Sequence, residues 1–338
     1  MLKIVANLFG AAILSLGLSA PAAAAEFTLK VSSPAPLTDI DPFSAWLKAF
    51  ESGVEERSGG RIDVELYPLS QLGPIPATVE GVAMGTIEMT TPIIGFLNAV
   101  DPRFQVFDAN GLFDDEHHAL RTMADPRVKA MMAELGAQAN VEPLFILTSG
   151  QIAVVTRDRI SSVDDLQGKK LRTGGSTDLI NRPMQALGVS PVAMPLGDVL
   201  PGIQTGTIDG AATNMPVIVG SKFADVAKHA TYLPGNFLIV GGIVSKDFLA
   251  RIGPELEAII REEADASKSA YKAKLDSGPA ALEATFASQG GTMTVMDHEQ
   301  RQRFLDSVVP VVEEVVASNP QLKADYELLK QAAEDARQ

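Results

Sequence analysis

Asp165-Leu-Gln-Gly-Lys-Lys-Leu-Arg172-Thr opens a stretch that continues through Pro191-Val-Ala-Met-Pro195 and closes Gln204-Thr-Gly-Thr-Ile-Asp-Gly210-Ala-Ala-Thr-Asn214. It reads as a short helix, a strand delivering an arginine, a helix, a strand, and a helix ending in a glycine turn. Upstream, Ser58-Gly-Gly-Arg-Ile-Asp-Val-Glu-Leu-Tyr-Pro68 followed by Gln71-Leu-Gly73 has the same αβ character. Further out, Phe27, Leu29 and Val31 alternate as in a half-buried strand, and Asp41-Pro42 supplies an N-cap and a favoured first helical residue. Phe43, Trp46, Leu47, Phe50 and Val54 follow at helical spacing until Gly59-Gly60. The spacing predicts one helix over His117 to Leu135 and separate strands at Leu144 to Leu147 and Ile152 to Thr156. It predicts two strands and a turn over Thr231 to Val244, broken at Pro234-Gly235-Asn236. Pro254 to Phe286 is one long helical run interrupted only at Gly278-Pro279, and Thr292 to Met296 looks like a last strand before two helices. Such alternation marks an α/β chain.

In order and spacing these motifs resemble the solute-binding proteins of TRAP transporters, the DctP type, over essentially the whole chain after residue 25. The resemblance implies a two-lobed periplasmic binding protein fold with a long helix crossing both lobes, to which Pro254 to Phe286 corresponds. Lobe I is expected over residues 26–150 and 239–278, and lobe II over 151–238 and 279–338. The resemblance also implies an organic acid as ligand and the membrane permease subunits of a TRAP transporter as partners.

Residues 1–25 carry the marks of a secretory signal peptide. Lys3 gives a positive start, Ile4 to Leu18 is apolar, and Ala23 and Ala25 form an A-x-A site before Glu26. The apolar run is roughly 15 residues, short of the ~20 that span a bilayer. Cleavage after Ala25 leaves 313 residues (338 − 25), enough for two domains. There is no cysteine, hence no disulfide and no lipidated cysteine; a chain of this size needs neither to bury a core. Net charge is −14, or −15 once Lys3 is removed (−14 − 1), which argues against nucleic acid as a partner. An acidic protein that binds anions must do so locally, against its own field.

Arg172 is the first candidate for chemistry, because a guanidinium is always charged and its planar fork meets a carboxylate with two parallel hydrogen bonds. In the family it resembles, the arginine of this "GKKLR" segment clamps the ligand carboxylate. Thr173-Gly-Gly-Ser176 follows directly; Gly175 and Ser176 would offer backbone N–H groups and a hydroxyl to an anion. The resemblance also assigns ligand contact to an asparagine after the Asp209-Gly210 turn. One extra residue leaves the choice between Asn214 and Thr213 open. Sialic-acid-binding relatives carry a second arginine where this chain has Ile152, and charged residues where it has Pro92-Ile-Ile-Gly-Phe96. Ile93 and Phe96 therefore either line an apolar side of the site or belong to the core.

His117 and His118 are adjacent, so on a helix they point roughly 100° apart. With no cysteine and only His229 and His298 besides, no metal site is expected, and no cofactor. A periplasmic enzyme acting on an acid would require a nucleophile or metal with an acid–base pair near Arg172, and no such motif is present. An ABC-type binding protein would share the architecture; the long helix favours the TRAP type.

Overall fold

The computed structural model describes residues 24–337, so the expected signal peptide lies almost wholly outside the described residues. β1 (Phe27–Ser32) and β2 (Ile62–Tyr67) pair in parallel, Phe27 beside Ile62, around the crossover helix α1 (Pro42–Arg57). Asp41 caps that helix: its Oδ2 accepts from the Ser44 N–H at 2.8 Å, and Pro42 occupies the first turn, where no N–H is needed. The apolar stripe from Phe43 to Val54 is fully buried. α2 (Ile75–Ala83), β3 (Met89–Thr90), α3 (Glu116–Met123) and α4 (Pro126–Glu134) follow. The single helix expected over His117 to Leu135 is thus two, because Asp125 caps a new start and Pro126 cannot continue the old one.

β4 (Val141–Thr156) is one strand where two were expected, and Gly150 at φ +103° sits within it. Next come β5 (Lys170–Thr173), α5 (Asp178–Ala186), β6 (Ser190–Ala193), α6 (Val199–Thr205), β7 (Gly210–Asn214) and α7 (Met215–Gly220). β8 (His229–Ser245) replaces the expected hairpin at Pro234-Gly235-Asn236. Those residues make a kink inside one long strand, with Gly235 at φ +62°. β8 runs antiparallel to β4, and their register shifts between Thr148, Gln151 and Ala153. The irregularity falls where the two expected lobes meet.

The expected long helix is a succession: α8 (Lys246–Ala266), α9 (Lys268–Leu275) and α10 (Gly278–Ser288). α8 bends at Gly253, whose φ of +81° and ψ of 168° are not helical, so Pro254 opens its longer part. α9 packs on α1 and α10 on α7, so the run passes from one end of the molecule to the other. β9 (Thr292–Thr294), α11 (His298–Ala317) and α12 (Pro320–Ala336) complete the chain.

Among the described residues the strands join one sheet, ordered β2-β1-β3-β8-β4-β7-β5-β6, with β9 beside β8. Both halves of this bent sheet are covered on both faces by separate apolar clusters. α11 packs along α5, but α12 returns to α3 and α4, although residues 279–338 were expected with the second lobe. Arg103 Nε donates to Asp325 at 2.6 Å there, and His118 Nε2 lies 2.7 Å from the Ala333 carbonyl.

Candidate ligand-binding site

A cavity of about 720 Å³ lies between the two halves of the sheet, within the size range of small-molecule sites. Arg172 lines it and is the one charged side chain among the described lining residues. It sits near the carboxyl end of β5, between Val192 of β6 and Ala211 of β7; ligands of open α/β sheets gather at that end. Arg172 is only 3% exposed, and its Nε donates to the Met194 carbonyl at 3.2 Å. No carboxylate neutralises it among the described residues. Burial pulls the guanidinium down to about 10, which leaves it charged at neutral pH. A buried, charged and unpaired cation is costly to the fold, so its presence calls for an anionic partner that comes from outside.

Gly175, Ser176, Thr213, Asn214, Ile93 and Phe96 all line the same cavity, so the structure brings every expected site residue together. They differ in what they are free to do. Asn214 is engaged: its Nδ2 donates to the Ser149 carbonyl and, at 2.9 Å, to the Ser149 hydroxyl, and its Oδ1 caps α7 through Val217 N–H. Thr213, one residue earlier and 2% exposed, is on the wall without such duties. Ile93 and Phe96 are half-buried on the wall, while their neighbours Ile94 and Leu97 are fully buried in the core, so the helical turn alternates between the two roles.

Three first-lobe loops, after β1, before α2 and after β3, supply Ser33, Ser70 and Thr91 to the wall. Leu69 and Ser70 have φ of 54° and 57°, a left-handed pair that non-glycine residues rarely adopt. Backbone bonds from Leu69 N to Ala35 O at 3.2 Å and from Ser70 N to Ser33 O at 3.0 Å hold them there. Phe43, Phe223, Leu238 and Val240 also face the cavity, and none was singled out from the sequence. Phe43 was read only as part of a helix's apolar stripe; its place at the first turn of α1 was the available signal.

A second cavity of about 140 Å³ lies behind, sharing Ser149 with the first. Asp41, Glu116, Glu283, Tyr232 and Tyr271 line it. Burial raises the Asp41 carboxyl and pushes Glu116 up to about 7. No group of three or more His, Cys, Asp or Glu suited to a metal ion occurs among the described residues. His118 is structural: its Nδ1 accepts from Asp114 N–H at 3.0 Å. No described helix is long and apolar enough to cross a membrane.

The bacterial extracellular solute-binding proteins of family 7 (DctP) match residues 37–319 of this chain. The C4-dicarboxylate-binding periplasmic protein of Rhodobacter capsulatus is 28% identical over 93% of this chain and 93% of its own length. A TRAP periplasmic solute-binding protein of Desulfovibrio salexigens, solved with orotic acid, superposes with a TM-score of 0.84 at 20% identity, covering 91% of this chain and 99% of the other. One from Xanthobacter autotrophicus, solved with β-D-galacturonate, gives 0.81 at 23% identity, covering 90% and 99%. The chain belongs to the DctP family of extracellular solute-binding proteins and is a binding protein of the TRAP type, not an enzyme.

Proposed function

We propose that this protein is the periplasmic substrate-binding subunit of a TRAP transporter, capturing an organic acid anion through its carboxylate and delivering it to an ion-gradient-driven permease. The observation that carries the reading is Arg172, buried, charged and without an acidic partner on the wall of the cavity. The ligands named for similar proteins, a C4-dicarboxylate, orotic acid and galacturonate, are all acids, which supports the same class here. The mechanism is hinge closure about the irregular middle of β4 and β8, with residues 26–150 and 239–278 on one side and 151–238 and 279–338 on the other, α12 riding on the first. Contacts from both lobes favour the closed state and remove water from ligand and wall together. In this reading residues 1–25 are removed on export, and neither cofactor nor nucleic acid takes part.

A thermal-shift screen of the mature protein against organic acids tests this. An acid at about 100 times its Kd adds about 2.7 kcal/mol of stability, whereas the amide of the same acid adds none. Stabilisation by neutral or cationic solutes, with acids inert, would overturn the reading.

A further inference from the structure

The cavity that holds Arg172 is larger and more apolar than a small charged acid requires. At the ~30 Å³ that a water occupies in the liquid, about 720 Å³ accommodates on the order of 20 non-hydrogen atoms. A four-carbon diacid fills roughly a third of that. The apolar surface comes from both sides: Ile93 and Phe96 from the first lobe, Met194, Leu196 and Leu200 from the second.

Hydroxyl side chains make up most of the polar groups on the wall, and several polar groups are engaged within the protein. The Thr91 hydroxyl donates to Ser32 O, the Thr173 hydroxyl donates to Gly175 O, and the Asn214 amide is held by Ser149 and Val217. With Arg172 the one lining charge among the described residues, the wall balances a single negative charge. A second carboxylate would be buried without a counter-charge, in a protein whose net charge of −14 already opposes it. A sugar acid would find uncommitted hydroxyls at Ser70, Ser176, Thr213 and Ser221 and leave its remaining hydroxyls desolvated against carbon.

We propose that the ligand is a monocarboxylate with a bulky apolar body, aromatic, alicyclic or aliphatic, its carboxylate on Arg172 and its body among Ile93, Phe96 and Met194. This deepens the carboxylate reading of the site and rests on it. Burying the body releases water from both surfaces, so affinity grows with apolar area while the charge requirement stays fixed at one.

The test is isothermal titration of the mature wild-type protein, stripped of bound solute by unfolding and refolding. It uses matched pairs: octanoate against octanedioate, phenylacetate against 4-carboxyphenylacetate, cyclohexanecarboxylate against D-glucuronate. The first member of each pair should bind at least about tenfold tighter, and octanoate tighter than butyrate. Phe96→Ala should lower the octanoate-to-butyrate affinity ratio by about threefold or more, a ratio that partial unfolding of the variant does not change. If the diacid or the sugar acid binds as well or better, and Arg172→Ala abolishes that binding, the apolar-body inference is wrong and the carboxylate clamp survives. If no acid of either kind binds, the clamp fails and the inference with it.

Discussion

The two cavities on either side of Ser149 are opposites. The front one has a single guanidinium on a largely carbon wall; the rear one, about a fifth the volume, collects Asp41, Glu116 and Glu283 with two tyrosines. The difference shows how a chain of net charge −14 can build an anion site. It sorts its charges, keeping carboxyls off the wall of the larger cavity and gathering three of them behind β4 and β8. Burial raises the Asp41 carboxyl and pushes Glu116 up to about 7, so Glu116 is partly neutral at neutral pH and repels an anion in the front cavity less.

Buried carboxyls also have a stability consequence, the largest effect expected short of ligand binding. Asp108 is half-buried, but its Oδ2 is buried without a partner where Gly95 of the first lobe approaches Ile180 of α5; desolvation pushes the carboxyl up to about 8, opposed by the Thr177 hydroxyl, which lies outside good hydrogen-bond geometry. Glu116 is raised to about 7. A carboxyl whose pKa is raised on folding stabilises the fold fully below its unfolded value near 4, and that contribution is lost as pH rises through the folded value. Stability should therefore fall between pH 5 and 8, with a full effect on the order of 5 kcal/mol for Asp108 and 3 kcal/mol for Glu116. Urea denaturation across that range should show a flatter slope in Asp108→Asn and in Glu116→Gln; an unchanged slope in both variants would break the comparison.

A second test separates wall from core on one turn of chain. Leu97→Ala should lower the stability of the unliganded protein by about 2–5 kcal/mol and leave the affinity of the folded fraction unchanged. Phe96→Ala should weaken the ligand by roughly 1–3 kcal/mol with much less loss of stability. Equal stability losses would mean that both are core.

The smallest effects concern the Thr213 and Asn214 alternatives. Asn214→Ala should cost about 1–2 kcal/mol of stability through the lost α7 cap and the strand contact to Ser149. Thr213→Val should leave stability alone and cost about 0.5–1.5 kcal/mol of affinity. Calorimetry on the two variants that reversed this assignment would make Asn214 the ligand contact.

The site was more legible in the sequence than the hinge. Arg172, Gly175 and Ser176 are consecutive in effect, and a strand followed by a glycine turn places them at one strand end by local rules alone. Asn214 was read from the sequence only as a ligand contact; its cap of α7, marked locally by Met215-Pro216 after it, was not read. The long strands were misread because Pro234-Gly235-Asn236 carries the chemistry of a reversal, and only pairing with β4 turns it into a kink. The rear cavity left no local trace. Its carboxyls come from residues 41, 116 and 283, and their company is set by tertiary packing.

The central claim is that one unpaired guanidinium decides what this protein holds, and calorimetric titration of Arg172→Ala and Arg172→Lys with an acid bound by the wild type tests it most directly. Alanine should cost about 3–5 kcal/mol of binding, because the ligand carboxylate is then buried unpaired. Lysine should restore part of the loss, since it keeps the charge without the fork. The unliganded alanine variant should melt no lower than the wild type, because the fold is relieved of a buried cation with no partner. Binding by Arg172→Ala within roughly a factor of three of the wild type, about 0.7 kcal/mol, would contradict the account.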